Sequence, residues 1–227
     1  MKDYKYILFD LDGTIVDSGL GITNAVSYAL SKFGISVASR EELFGFIGPP
    51  LMDSFQRFFG FSKEKAFEAV EQYRVYYRAK GLFENTVYEG VEEMLASLRA
   101  AGKRVILATA KPEEFAKTVI KDVGLEKYFS FIGGAEMESA ENRGLNIRSK
   151  KEDVIAYVLS ECGIEDKSSA VMVGDRENDI VGAKLNGIDS VGVLFGYGSL
   201  AELTGAGADH IAETPMEVVG AVCGKTR

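Results

Sequence analysis

The chain has 227 residues, 46% of them hydrophobic and 26% charged, which fits one large globular domain or a domain carrying a smaller insert. A net charge of −8 leaves no broad basic face, so a nucleic-acid polymer is excluded as a partner and any anionic ligand must be met by local cations. No apolar run approaches the roughly 18 residues of a membrane span, and no signal-peptide pattern leads into the first apolar run, so a cytoplasmic protein without a membrane partner is expected.

Tyr6-Ile7-Leu8-Phe9 is the first apolar run and predicts a strand. From Thr14 to Glu84 no strand-like run follows. Ile22, Val26, Ala29 or Leu30, and Phe33 recur at helical spacing, as do Phe67, Val70, Tyr73 or Arg74, and Tyr77. Between them Gly48-Pro49-Pro50 breaks the chain before a helix starting near Leu51. The aromatic stretch Tyr73, Tyr76 and Tyr77 reads as packing within this helical block. A helix over 90–101 stops at Gly102, and Val105-Ile106-Leu107-Ala108 predicts the next strand. Pro112 opens a helix that stops near Gly124, and Phe129-Ser130-Phe131-Ile132 predicts a weaker strand. The helix over 152–162 stops at Gly163, Ala170-Val171-Met172-Val173 is a further strand, and the helix over 177–186 stops at Gly187 before the strand Ser190–Leu194. Short runs that are apolar throughout fit strands buried on both faces. Their alternation with helices predicts an α/β fold with an open parallel, Rossmann-like sheet. The expected core is 1–14 with 85–227, and 15–84 is a helical insert.

The chemistry lies where the apolar runs end: in Asp10, in Thr109, and in Gly174-Asp175. The carboxyl ends of parallel strands line one edge, and ligands bind in the crevice outside it, so these distant residues are expected to meet. Asp10 and Asp12 put two carboxylates in one tight loop, a costly pairing unless a cation or a proton compensates. Gly13 lets that loop turn and leaves backbone N–H groups free for an anion. Asp175 and Asp179 are placed to add oxygen ligands to the same cation. Mg²⁺ suits carboxylates, water and phosphate. Lys150 and Lys151, before the helix at 152, offer local positive charge. His210 lies outside these motifs and reads as structural. With no other histidine, the chemistry falls to carboxylates, which argues against serine or cysteine triads. Cys162 and Cys223 share no metal-type spacing and read as reduced thiols.

Together these segments resemble the haloacid dehalogenase superfamily, in its phosphoglycolate phosphatase-like branch with a helical cap. The resemblance spans essentially the whole chain. Its motifs stand here as Asp10-Leu11-Asp12-Gly13-Thr14, as Thr109 closing a strand, as a lysine before a helix, and as Gly174-Asp175-Arg176-Glu177-Asn178-Asp179. The helical block then matches the family's cap. Many members of the branch carry Lys-Pro at the third motif. This chain has Lys150-Lys151-Glu152, which moves it toward nucleotidase-like relatives. Counting back from Val154, Ile155 and Val158 favours Lys151 over Lys150.

The resemblance implies a Mg²⁺-dependent phosphatase for small phosphorylated metabolites, of phosphoglycolate or 5′-nucleotide type. Asp10 is then the nucleophile that forms an aspartyl-phosphate, Asp12 the acid and base, and Lys151 the cation that offsets phosphate charge. A carboxylate 4 Å from a phosphate charge is repelled by about 4 kcal/mol at an effective dielectric of 20, so cations are needed. Gly13, Thr14, Thr109 and Ala110 would hold the phosphoryl oxygens, and Asp10, Asp12, Asp175 and Asp179 the metal. A phosphosugar mutase of the same family shares these motifs. A phospho-acceptor signalling domain, the non-enzyme alternative, has no large helical insert.

Overall fold

The computed structural model describes residues 2–139, 141–142 and 147–224. The chain runs through β1 (Tyr6–Phe9), β2 (Val16–Asp17), α1 (Gly19–Ser31), α2 (Leu51–Phe59), α3 (Lys63–Ala79) and β3 (Thr86–Val87). It continues with α4 (Val91–Ala100), β4 (Arg104–Pro112), α5 (Glu113–Asp122), β5 (Phe131–Ala135), α6 (Lys151–Glu161) and β6 (Ala170–Gly174). It ends with α7 (Glu177–Asn186), β7 (Asp189–Val193), α8 (Leu200–Ala206), β8 (His210–Ala212) and α9 (Pro215–Val222).

Six strands form one parallel sheet in the order β5-β4-β1-β6-β7-β8. β1 is flanked by β4 and β6, with Phe9 opposite both Leu107 and Val173. The chain builds outward on one side of β1 and then returns to build on the other. The switch point, and with it the natural crevice for a ligand, therefore lies at the carboxyl ends of β1, β4 and β6.

Both faces of the sheet are covered, which is why the strands read as continuous apolar runs. Ile7, Phe9, Val105 and Leu107 pack with Met94 and Leu98 of α4, Phe115 and Val119 of α5, and Val218 and Val222 of α9. Leu8, Ile106 and Met172 pack on the opposite face with Val154, Ile155 and Val158 of α6 and Ala183 of α7. Each such side chain, fully buried, contributes about 1.5–3 kcal/mol before the entropy of ordering is subtracted. The helix ends follow their local chemistry. Ser62 caps α3 by accepting from the Lys65 N–H, and Gly187 ends α7 at φ +70, a conformation only glycine adopts freely.

The structure departs from the sequence reading in three places. Val16–Asp17 is a strand inside the stretch read as wholly helical, and it pairs antiparallel with Thr86–Val87. Two-residue strands leave no periodicity to detect. β4 does not stop at Thr109 but runs through Ala110 and Lys111 to Pro112, with an irregularity between Thr109 and Pro112. The helix α8 and the strand β8 lie beyond the elements read from the sequence.

α1, α2 and α3 lie between β2 and β3 in the chain. Ile22, Val26 and Leu30 of α1 pack with Ala66, Val70, Tyr73 and Tyr77 of α3, in a cluster continuous with one face of the sheet. Tyr73 and Tyr77 are buried and stacked, ring centres 5.1 Å apart, as their helical spacing implied, while Tyr76 is half-buried and donates to Glu84. No helix among the described residues is long and apolar enough to cross a membrane.

Candidate active site

Asp10 follows β1 directly, and its backbone N–H donates to the Val173 carbonyl at 2.9 Å, which ties the loop to β6. The loop then coils on Leu11, whose carbonyl accepts from the Ile15 and Val16 N–H groups. Gly13 sits at φ +82, and a Cβ there would land on the Asp175 carboxylate, 2.6 Å from its Cγ. The close approach of two strand-end loops thus requires glycine. Thr14 is fully buried and donates to Asp175 Oδ1 at 3.3 Å, so its hydroxyl faces the carboxylate.

Asp175 directly follows β6 and has no exposed surface. Its Oδ2 accepts the Tyr197 N–H at 2.8 Å. Asp179, one turn into α7, accepts from the Arg176 N–H at 3.1 Å and so helps start that helix. Asp10, Asp175 and Asp179 each turn a carboxylate oxygen inward, and the three oxygens lie within 4.8 Å of one another. Burial pushes the Asp175 carboxyl well above the usual carboxylate range, and the Asp179 and Asp10 charges push it further. Burial likewise pushes Asp179 up to about 6, with Lys151 opposing and Asp10 adding.

Among the described residues, one cation enters this cluster. Lys151, the first residue of α6, is 5% exposed, and its Nζ lies 2.6 Å from Asp10 Oδ1 and 2.8 Å from Asp179 Oδ1. It also donates to the Ala108 carbonyl at 3.3 Å. Burial works against the ammonium charge, but the two carboxylates outweigh it and hold the group above its ordinary range. Of the two adjacent lysines, Lys150 is exposed and Lys151 is the one that reaches Asp10.

The donor set fits a hard divalent cation. Three buried carboxylates share one small volume with the Lys151 ammonium. Asp10 Oδ1 and Asp179 Oδ1 stand at ion-pair distance from Lys151, yet neither receives a well-directed hydrogen bond among the described residues. Asp10, Asp175 and Asp179 are the residues that would hold the ion. The sequence also placed Asp12 in the ligand set. Its side chain lies outside the cluster, with Oδ1 at 2.5 Å from Lys111 Nζ.

Thr109 is 1% exposed and accepts the Lys111 N–H on Oγ1 at 3.2 Å. A cavity of about 410 Å³ opens beside these residues. Asp12, Ala110, Lys111 and Lys150 border it from the sheet side, and Phe46 and Gly48 from the connection between α1 and α2 join Tyr73 and Tyr77 of α3 on the other. Asp10, Thr109, Lys151 and Asp175 are not among its lining residues, whereas Asp12, two residues after Asp10, is. Arg176 spans the two parts, with its Nε 2.8 Å from Glu202 and one terminal nitrogen donating to the Ile47 carbonyl at 3.4 Å. His210 on β8 and the free thiols Cys162 and Cys223 take no part in the cluster.

Sequence reasoning missed Lys111, Arg176 and Tyr197. Lys111 was detectable, since residues i and i+2 of a strand share a face and Thr109 had been recognised. Arg176 sits inside a recognised motif, but its reach to Ile47 depends on tertiary structure. Tyr197 contributes a backbone N–H, which carries no sequence signal.

Residues 7–193 match the family described as haloacid dehalogenase-like hydrolase. A 5′-nucleotidase of Pseudomonas aeruginosa is 38% identical over 88% of this chain and 87% of its own. A phosphoglycolate phosphatase of Vibrio parahaemolyticus is 29% identical over 97% of both chains. Among solved structures, a predicted phosphatase from Clostridium acetobutylicum superposes with a TM-score of 0.90 at 42% identity, covering 97% of this chain and 98% of that one. With the parallel sheet, the strand-end carboxylates and these likenesses together, the chain belongs to the haloacid dehalogenase-like hydrolases and is a phosphoric monoester hydrolase among them.

Proposed function

We propose that the protein hydrolyses small phosphate monoesters, of 5′-nucleotide rather than phosphoglycolate size, through an aspartyl-phosphate on Asp10. The observation that carries this reading is the buried Lys151 ammonium shared between Asp10 and Asp179, beside the third carboxylate of Asp175. Lys151 orients the Asp10 carboxylate and offsets its charge beside a phosphate, which suits it to act as a nucleophile. Bound by Asp10, Asp175 and Asp179, Mg²⁺ would supply further positive charge against the phosphate dianion.

In the first step Asp10 bonds to phosphorus. The bond from phosphorus to the ester oxygen breaks with its electron pair left on that oxygen, and Asp12 gives the oxygen a proton. In the second step Asp12 takes a proton from water as the water oxygen bonds to phosphorus. The bond to Asp10 breaks, which restores its carboxylate and releases inorganic phosphate. Lys151 and the backbone N–H near Ala110, with Thr109, hold the phosphoryl oxygens in this scheme, because the Gly13 N–H that the sequence offered to an anion instead donates to the Val16 carbonyl at 2.9 Å.

Residues 15–84 act as a cap over a core of 1–14 and 85–227, reading the leaving group and excluding water. A glycolyl group would fill a small part of the 410 Å³ cavity, while its aromatic wall of Phe46, Tyr73, Tyr77 and Phe115 suits a nucleoside. The likeness to a 5′-nucleotidase supports the same choice.

The test is a trapped phosphoenzyme. Asp12→Asn is expected to gain one phosphoryl group from p-nitrophenyl phosphate, seen by intact-protein mass spectrometry after rapid quench, and Asp10→Asn to gain none. Phosphorylation of Asp10→Asn at another residue, or near-normal turnover by it, would refute the scheme. A panel of 5′-nucleotides and phosphoglycolate with Mg²⁺ present decides the substrate size.

A further inference from the structure

Lys111 belongs to none of the sequence motifs and lies outside the carboxylate cluster. Its side chain is nonetheless 4% exposed, and its Nζ donates to Asp12 Oδ1 at 2.5 Å, with the Asp12 side chain 9% exposed. Placing an ammonium in so dry a position costs several kcal/mol unless a partner is met with good geometry. The ring of Tyr77 on α3 lies 5.2 Å from the same Nζ, within cation–π range, and Tyr73 stacks on that ring. The Lys111 N–H is anchored on Thr109 Oγ1 at 3.2 Å, which fixes the backbone from which the side chain starts.

Asp12 lies two residues after Asp10, yet its side chain takes a different course. It borders the cavity together with Lys111 and Tyr77, and it is absent from the carboxylate cluster. Lys111 is the partner that accounts for this direction.

We propose that Lys111 is a positioning residue. It holds the Asp12 carboxyl group on the cavity side, where the departing ester oxygen lies, and the Tyr77 ring from the inserted helices closes over the pair. The proposal rests on the acid–base reading of Asp12. In the step concerned, the ester oxygen keeps the electron pair of the broken bond to phosphorus and receives its proton from Asp12. An oxygen that is stable as an anion, such as p-nitrophenolate, needs little of that proton, whereas phenolate needs more. A misplaced Asp12 therefore penalises the poorer leaving group, and a general packing defect does not.

The experiment measures kcat/KM with Mg²⁺ for p-nitrophenyl phosphate and phenyl phosphate in the wild type, Lys111→Met, Lys111→Arg and Asp12→Asn. Lys111→Met is expected to lose roughly tenfold more on phenyl phosphate than on p-nitrophenyl phosphate, in the same sense as Asp12→Asn, and Lys111→Arg to recover most of that difference. Lys111→Gln gives the same comparison should Lys111→Met not fold. Equal losses on both esters in the lysine variants, with Asp12→Asn still discriminating, overturn the positioning role and leave the reading of Asp12 intact. No discrimination by Asp12→Asn overturns that reading and this proposal with it.

Discussion

Gly13 and Asp175 approach so closely that one methyl group on Gly13 would occupy the place of the carboxylate. Two loops that follow different strands are thereby pressed into one site, and the contact is made by the absence of a side chain. Gly196 adds the same kind of contact from a third loop, where a Cβ would lie 2.5 Å from Asp175 Cβ.

Gly13→Ala is accordingly expected to cut kcat/KM by at least about a hundredfold, since sub-ångström placement of Asp175 is lost, and to destabilise the fold by about 1–3 kcal/mol. Gly102 offers the control. It has φ +75 with nothing within 4 Å of a built Cβ, so Gly102→Ala should cost about 1–2 kcal/mol of backbone strain and leave kcat/KM within about twofold. Urea unfolding and steady-state kinetics on both variants read the difference.

Lys151→Ala should lower turnover by roughly a hundred- to a thousandfold, because it removes the ammonium beside Asp10 and leaves two buried carboxylates facing each other. Lys150→Ala, which removes an exposed side chain at the cavity edge, should change turnover by less than about threefold. Comparable losses in the two variants would count against the assignment of Lys151.

Removal of divalent cations by a chelator is expected to abolish turnover, and Mg²⁺ to restore it, with Ca²⁺ a poor substitute because it seeks more ligands in a looser arrangement. Binding also has a readout without catalysis. Relief of the crowded carboxylates should raise the unfolding midpoint, by an amount equivalent to about 2.7 kcal/mol at a hundredfold excess over Kd. Asp175→Asn should lose most of that shift, as measured by scanning fluorimetry.

Asp189 makes a separate electrostatic contribution to stability at the far side of the sheet. Burial raises its carboxyl, but Lys2 Nζ at 2.6 Å and the Tyr4 hydroxyl at 2.7 Å more than reverse this and hold it below its ordinary value. A carboxyl with a depressed folded value contributes stability that is present above the unfolded value, about 3.9, and is lost as pH falls through the folded one. The urea midpoints of wild type and Asp189→Asn should therefore differ at pH 7 and converge below about pH 4. A gap that stays constant down to pH 3 would contradict the assignment.

The parts of the site that follow strands were legible because doubly buried strands leave an unmistakable pattern. Asp10, Thr109 and Asp175 each interrupt a run of apolar residues that needs no alternation. Asp179 followed from its spacing within one helical turn. The direction of the Asp12 side chain was not legible, since it is decided by Lys111 across the crevice and not by any neighbour in sequence. Lys111 itself was hidden by the assumption that a strand ends at its first polar residue, whereas β4 carries Thr109, Ala110 and Lys111 onward to Pro112. The two strands Val16–Asp17 and Thr86–Val87 were invisible for a different reason: each is shorter than one period of any pattern.

That small ribbon has an architectural consequence. Asp17 and Thr86 are paired across it, so the chain leaves for the inserted helices and returns at neighbouring positions, about 5 Å apart in an antiparallel pair. The 68 residues between them form a closed excursion, and a two-residue hairpin turn could bridge the gap they would leave. The ribbon thus works as a clasp: it fixes where the excursion leaves and rejoins the chain, while the helices inside it are held by the apolar cluster that they share with one face of the sheet.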